Sequence, residues 1–220
     1  MRPSRVKALL KFGLLPSSLV RFHGPGTSNK IALTFDDGPV EGLTDRVLDA
    51  LHERGHQATF FVVGERAERN PDLLKRMVES GSEVGNHTYS HARLSTLSWA
   101  DVAEQFQRTE EAIRSILGAA PSFVRPPFGE LSGQFILYLA RHRATSIGWS
   151  AHLGGDELIH DWSVSRILEQ FAADRIESGD IILMHDTNEH AVEALPALLG
   201  ALERHNLRSV TLSELLRATA

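Results

Sequence analysis

Ile31-Ala-Leu-Thr-Phe-Asp-Asp-Gly-Pro39 decides how the rest of the chain is read. Residues 31–35 are apolar apart from Thr34, the composition of a β-strand covered on both faces. Two carboxylates end the run, and Gly38-Pro39 marks a turn. Side chains alternate between faces along a strand. Asp36 and Asp37 therefore serve one site only if the backbone bends at this point, where Gly38-Pro39 is placed to bend it. So arranged, the pair suits a metal ligand beside a general base. The alternative is an Asp-Gly turn in which Asp36 caps the segment after it.

Helical and strand signals alternate downstream. Residues 43–54 repeat Leu43, Val47, Leu48 and Leu51 at helical spacing, and 58–63 form a second buried strand. Pro71, with Asn70 as candidate cap, opens a helix that ends near Gly81. A short strand over 82–86 runs into His87. Ser98 and Asp101 have capping-box spacing at the start of a long helix that Gly118 ends. A strand over 122–125 is stopped by Pro126-Pro127, and a helix capped by Ser132 comes next over 132–141. Then come a strand over 145–149, a helix over 164–173 capped by Ser163, a strand over 180–185 and a helix over 191–205. A strand over 209–211 and a helix over 212–216 close the chain. This alternation predicts an α/β fold with a parallel sheet and helices packed outside it. Residues suited to chemistry recur where strands end: Asp36-Asp37, His87, Arg125 and His185. In a βα barrel those ends form one rim, the place of active sites.

The chain of 220 residues is the size of one α/β barrel, and 42% apolar residues suffice for its core. A net charge of -5 gives no basic footprint for nucleic acid. Without cysteine there is no disulfide and no thiolate metal site, so a transition metal would rely on the eleven histidines and on carboxylates. Arg2, Arg5 and Lys7 before the apolar run 8–15 resemble a signal peptide only in part, because Lys11 interrupts the run and Pro16 ends it. An amphipathic lead-in helix is expected there, with association at a membrane surface as the alternative. The run is too short to cross a bilayer. A cytoplasmic location is expected, with association with the cell envelope as the alternative. Residues 1–29 thus read as a lead-in segment and 30–220 as a single domain.

His87-Thr-Tyr-Ser-His91 sets two imidazoles four residues apart, a spacing that puts both on one face of a helical turn. With Asp37 they make a two-histidine, one-carboxylate metal set with an open position. Arg125 is placed to pair with Asp36 or Asp161, holding Asp36 ionised and oriented, or else is a surface guanidinium. His185 comes after four apolar residues. It is either a core histidine bonded to backbone or, on the shared rim, a general acid.

Thr34-Phe-Asp-Asp-Gly-Pro39, His87-Thr-Tyr-Ser-His91, Arg125-Pro-Pro-Phe-Gly129, Asp161-Trp162 and Leu183-Met-His185 resemble the five ordered motifs of the polysaccharide deacetylase family, the NodB homology domain. The resemblance runs from about residue 30 to about residue 216. It implies a distorted (β/α)7 barrel that removes N- or O-acetyl groups from sugar polymers with one divalent metal, zinc first and cobalt, nickel or manganese as alternatives. Under it, Asp36 resembles the general base, Asp37, His87 and His91 the metal ligands, and Arg125 with Asp161 the pair that orients the base. The backbone N–H of Phe128 resembles an oxyanion donor. Trp162 and Leu183 resemble walls of the acetyl pocket, Pro127 belongs with the substrate-binding set, and His185 resembles the general acid. The implied partner is an amino-sugar oligomer or polysaccharide of chitin or peptidoglycan type, with no nucleic acid and no stable membrane span.

Two departures from the family pattern stand out. Phe128 occupies a position where tyrosine is common, and the segment 150–160 is longer than expected, which reshapes the substrate groove. That length lets Asp156 compete with Asp161, although only Asp161 precedes a tryptophan; His152 and His160 read as loop surface. Rival readings keep the chemistry on a lipid-linked sugar, a small or cyclic amide or O-acetyl xylan. One from another class is a catalytically inactive carbohydrate-binding domain, against which the intact Asp36, Asp37, His87, His91 and His185 argue.

Overall fold

Alternation along one strand builds the layers of this protein, whose computed structural model describes residues 16–153 and 163–217. The first half runs β1 (Val20–Arg21), β2 (Lys30–Asp36), α1 (Leu43–Glu53), β3 (Ala58–Val62), α2 (Gly64–Arg69), α3 (Pro71–Glu79), β4 (Glu83–Asn86) and α4 (Trp99–Leu117). The second runs β5 (Phe123–Val124), α5 (Gly133–His142), β6 (Thr145–Ile147), β7 (Ala151–His152), α6 (Val164–Asp174), β8 (Ile181–His185), α7 (Glu189–Arg204), β9 (Arg208–Ser209) and α8 (Leu212–Arg217). The strands lie side by side in the order β1-β6-β5-β4-β3-β2-β8-β7, with β9 paired to the start of β2. Every pairing between these strands is parallel. Parallel neighbours need long crossovers, and in most of the steps a helix supplies one. Their C-terminal ends therefore share one rim, as expected.

In β2, Ile31, Leu33 and Phe35 face outward into a cluster with Val47, Leu48 and Leu51 of α1 and Leu195, Leu198 and Leu199 of α7. Each such side chain contributes about 1.5–3 kcal/mol on burial. Ala32 joins a separate cluster with Phe61, Ile147 and Ile181. Thr34 and Asp36 continue at the same period of two, so they point inward with it. A third cluster fills the space between α4 and α5, where the Phe106 ring stacks on Phe135 at 5.2 Å and on Tyr138 at 4.6 Å.

The expected caps form at Ser98, whose hydroxyl and Asp101 make a capping box, and at Ser132 and Ser163. Gly118 ends α4 at φ 76°. Asn70 departs from its expected role. It sits at the N-cap position of α3, but its side-chain amide donates back to the Arg66 carbonyl at 2.9 Å, covering the end of α2 instead. Residues 20–21, read from sequence as lead-in, form β1 and pair with β6. The amphipathic helix expected within 1–15 lies outside the described residues, as do Asp156, His160, Asp161 and Trp162. Among the described residues, no helix is long and apolar enough to cross a membrane.

Candidate active site

β2 delivers both carboxylates to the rim. Asp36, its last residue, faces inward and pairs across the sheet with Phe61 of β3 and His185 of β8. Asp37 then adopts φ 76°, and the Gly38–Pro39 bond is cis. A positive φ is uncommon outside glycine, with aspartate among the side chains that tolerate it. Here it turns the second carboxylate toward the same site as the first. The Arg66 guanidinium donates to the Asp37 carbonyl at 2.8 Å and fixes the bend.

His87 and His91 meet Asp37, though not from a helix. The segment between them is a loop in which Thr88 (φ 70°) and His91 (φ 55°) take left-handed backbone. Asn86 Oδ1 accepts the Thr88 N–H at 2.9 Å, and Gln105 Oε1 accepts those of Tyr89 and Ser90 at 3.0 and 2.9 Å. This curl, rather than helical periodicity, brings the imidazoles together with centroids 5.1 Å apart. Asp37 Oδ1 lies 3.4 Å from His87 Nε2 and 3.2 Å from His91 Nε2. The three ligand atoms fall within 4.8 Å of one another.

The donor set fits a metal ion. His87 Nδ1 lies 2.8 Å from the Arg125 carbonyl oxygen, which only accepts, so the proton sits on Nδ1. A neutral His87 then turns its Nε2 lone pair toward Asp37, the orientation of a ligating imidazole. Asp37 Oδ1 is buried and has no hydrogen-bond partner. Acceptors facing one another across such a gap call for a cation between them. With no cation between them, burial works to raise the Asp37 carboxyl, but its contact with His87, with the charges of His185 and His91 beyond it, holds it well below the usual carboxylate range. In that metal-free state burial works to lower the His87 imidazole, and the charge of Asp36 with the contact and charge of Asp37 overcome it and raise it; a bound cation would favour the neutral ligand instead.

Arg125 pairs with Asp36. Nη1 donates to Asp36 Oδ1 at 2.6 Å and to Thr34 Oγ1 at 2.9 Å, Nε to the Ile147 carbonyl at 2.9 Å and Nη2 to the Gly148 carbonyl at 3.2 Å. The guanidinium also lies 4.1 Å from the Phe61 ring centroid and is fully buried. Its competing sequence partner, Asp161, is outside the described residues.

His185 closes the opposite side of the rim from β8, with buried Leu183 two residues before it. Phe128, at φ 59°, succeeds buried Pro127, and its ring lies 4.9 Å from that of His91. His152 is not loop surface. It ends β7, pairs with Leu183, and sets its ring edge-on to His185 at 5.9 Å. The apolar run of β8 created the neighbouring ladder that holds this two-residue strand.

Sequence reasoning gave no role to Asp186, a charged residue after a strand end and hence a turn residue on its face. It is fully buried: Oδ2 accepts the Thr44 hydroxyl at 2.6 Å, Oδ1 has no hydrogen-bond partner, and a methyl placed on Gly38 would overlap both oxygens. Burial pushes its pKa up to about 7, opposed by Thr44 and helped by the Asp37 and Asp36 charges. Between about 4 and 7 the folded chain then binds more protons here than the unfolded chain, so this group's contribution to stability falls as pH rises and levels off above 7. Metal-free Asp186→Asn is expected to gain in midpoint temperature over the parent as pH rises from 5 to 8; a gap that stays constant with pH would reject this account.

Residues 23–147 match the family model described as polysaccharide deacetylase. The chain is 33% identical over 205 residues to a peptidoglycan-N-acetylglucosamine deacetylase of Bacillus cereus, covering 90% of this chain and 72% of that one. It is 35% identical to the chitin deacetylase of Colletotrichum lindemuthianum over 201 residues, covering 84% and 79%. The crystal structure of a peptidoglycan N-acetylglucosamine deacetylase in complex with 4-naphthalen-1-yl-N-oxidanyl-benzamide superposes with a TM-score of 0.84 at 29% identity, covering 96% of both chains. Other similar deacetylases are longer, and this chain spans 42% of one from Listeria monocytogenes.

Proposed function

This chain belongs to the polysaccharide deacetylase family, with the (β/α)7-type barrel of that family, and we propose that it hydrolyses the N-acetyl groups of amino-sugar oligomers or polymers of peptidoglycan or chitin type. The observation that carries this reading is the meeting of Asp37, His87 and His91 on a rim where Arg125 aims Asp36 at the same point. Relatives named for peptidoglycan and for chitin both support an amino-sugar substrate.

Asp37, His87 and His91 would hold one divalent cation, zinc first. Bound there, such a cation supplies Lewis acidity toward water and an acyl oxygen. Asp36 takes the proton of the attacking water. The Phe128 N–H donates to the acyl oxygen as negative charge builds on it. His185 gives a proton to the departing sugar nitrogen, leaving acetate and a free amine. Pro127 and Leu183 shape the acetyl pocket, and Asp161 and Trp162 complete the set by their place in the family's motifs.

Acetate release from N-acetylglucosamine oligomers and peptidoglycan fragments, with added zinc or cobalt and with chelator, tests the proposal. Metal-dependent release from either is the expected result; no release from a protein carrying one metal would overturn the substrate assignment. His87→Ala is expected to lose stoichiometric metal, measured by elemental analysis after dialysis. Unchanged metal content would remove His87 from the ligand set.

A further inference from the structure

We propose that Arg93 and Phe128 form a rim subsite for a carboxylate-bearing sugar next to the acetamide being cleaved, giving preference to strands whose muramyl units carry a free lactyl carboxylate over neutral chitin-type oligomers. This rests on the deacetylase reading above and names the substrate class within it.

Phe128 is 41% exposed, an unusual position for a large apolar side chain, and its ring touches the edge of the candidate metal site through His91. An exposed aromatic face beside a sugar-cleaving centre is a surface on which a pyranose ring can rest. The Arg93 guanidinium lies over that ring, 4.2 Å from its centroid. Stacking holds the planar fork in place without consuming its N–H donors. Among the described residues the fork makes no hydrogen bond. Arg93 is ion-paired to Glu130, whose Oε1 lies 3.9 Å from Nη1, beyond hydrogen-bond distance, while the other Glu130 oxygen accepts the Ser95 N–H at 3.1 Å. The Arg93 side chain is half-exposed.

The other arginines around the site are already engaged. Arg125 is bound to Asp36, Arg66 to the Asp37 carbonyl, and Arg108 stacks on Tyr89 and donates to its hydroxyl at 2.9 Å. Arg93 is thus the pre-ordered cation with donors to spare, one aromatic ring beyond His91. A guanidinium in that state recognises a carboxylate, best in two-point fashion. A muramic unit without a stem peptide carries a free lactyl carboxylate on the sugar; where a peptide is attached, that group is an uncharged amide. An N-acetylglucosamine unit carries no carboxylate. Glu130 tempers the local field, so the result is a preference between substrates rather than an absolute requirement.

Metal-loaded full-length protein would be assayed for acetate release from two tetrasaccharides, N-acetylglucosamine tetramer and alternating N-acetylglucosamine–N-acetylmuramic acid with free lactyl groups. Arg93→Gln is expected to lower the acidic-over-neutral ratio of kcat/KM about tenfold, mainly through KM, as befits loss of one charge-assisted contact. The salt dependence of the acidic substrate should weaken with it. Arg93→Lys should recover only part of the ratio, having charge without the stacked fork. An unchanged ratio, or equal losses on both substrates, would overturn the subsite. Should the parent protein hold metal yet cleave neither substrate, the substrate assignment above fails by itself. Calorimetric titration with the acidic tetrasaccharide then decides the subsite separately: tighter binding to the parent than to Arg93→Gln supports it, and equal affinity overturns it.

Discussion

Asp36→Asn is expected to lower kcat for acetate release by about 10²–10⁴-fold, the range for loss of a general base, while the protein keeps its metal. The two carboxylates of the bend face different partners. Asp37 Oδ1 faces both imidazoles, whereas Asp36 stays on the strand with Oδ1 on Arg125 and Oδ2 3.7 Å from His87 Nε2. An asparagine here can still accept the Arg125 hydrogen bond through its carbonyl oxygen, but it cannot take a proton from water. Elemental analysis should therefore find one metal per chain in a protein that turns over almost nothing. Retained turnover would remove Asp36 as the base, and loss of the metal would place Asp36 among the ligands.

Removing Arg125 should cost more in folding than any single change at the rim. Arg125→Met is expected to destabilise by about 3–5 kcal/mol, the usual penalty for breaking one side of a buried ion pair. It strands the Asp36 carboxylate and removes the donors to the carbonyls of Ile147 and Gly148 inside the barrel, while the Thr34 hydroxyl keeps its bond to the Ile182 carbonyl. For a chain of this length that corresponds to a fall in Tm on the order of 10 °C. Lysine is a poor substitute, because it lacks the planar fork that reaches four acceptors at once. An unchanged Tm in Arg125→Met would mean that the pair contributes no net stability, and its role would then be confined to aiming Asp36.

Much of this was legible in the sequence where a signal was both local and chemical. Apolar runs such as 31–35 and 180–185 end in residues that apolar strands do not carry without reason, and the parallel fold places those ends together. The grouping of Asp37, His87 and His91, the Asp36–Arg125 pair and the helix caps at Ser98, Ser132 and Ser163 all come from such signals. What escaped depends on neighbours rather than on local pattern. The two-residue strands β1 and β7 exist only through the ladders of β6 and β8, and His152 was lost with β7. α2 has a single buried alanine, Ala67, on which to hang a periodicity. The spacing of His87 and His91 suggested a helix because two left-handed residues, which produce the same juxtaposition, have no signature at Thr88 and His91. Asp186 was passed over because its burial is set by Thr44 and Gly38, far away in sequence.

The Arg125 side chain leaves the end of β5 and crosses the barrel interior to β2, three strands away in the sheet order, while still holding the end of β6. Two of its bonds join residues 89 and 91 positions apart. Closing so long a segment costs entropy before any contact rewards it, so these bonds are expected to form late, as the barrel closes. Interactions absent from the folding transition state act on the escape rate, not on the rate of arrival. Arg125 is accordingly expected to govern the lifetime of the folded state: in Arg125→Met the unfolding arm of the denaturant kinetics should rise while the refolding arm stays near that of the parent. The residue that holds Asp36 in place would then also set how long the protein withstands transient opening.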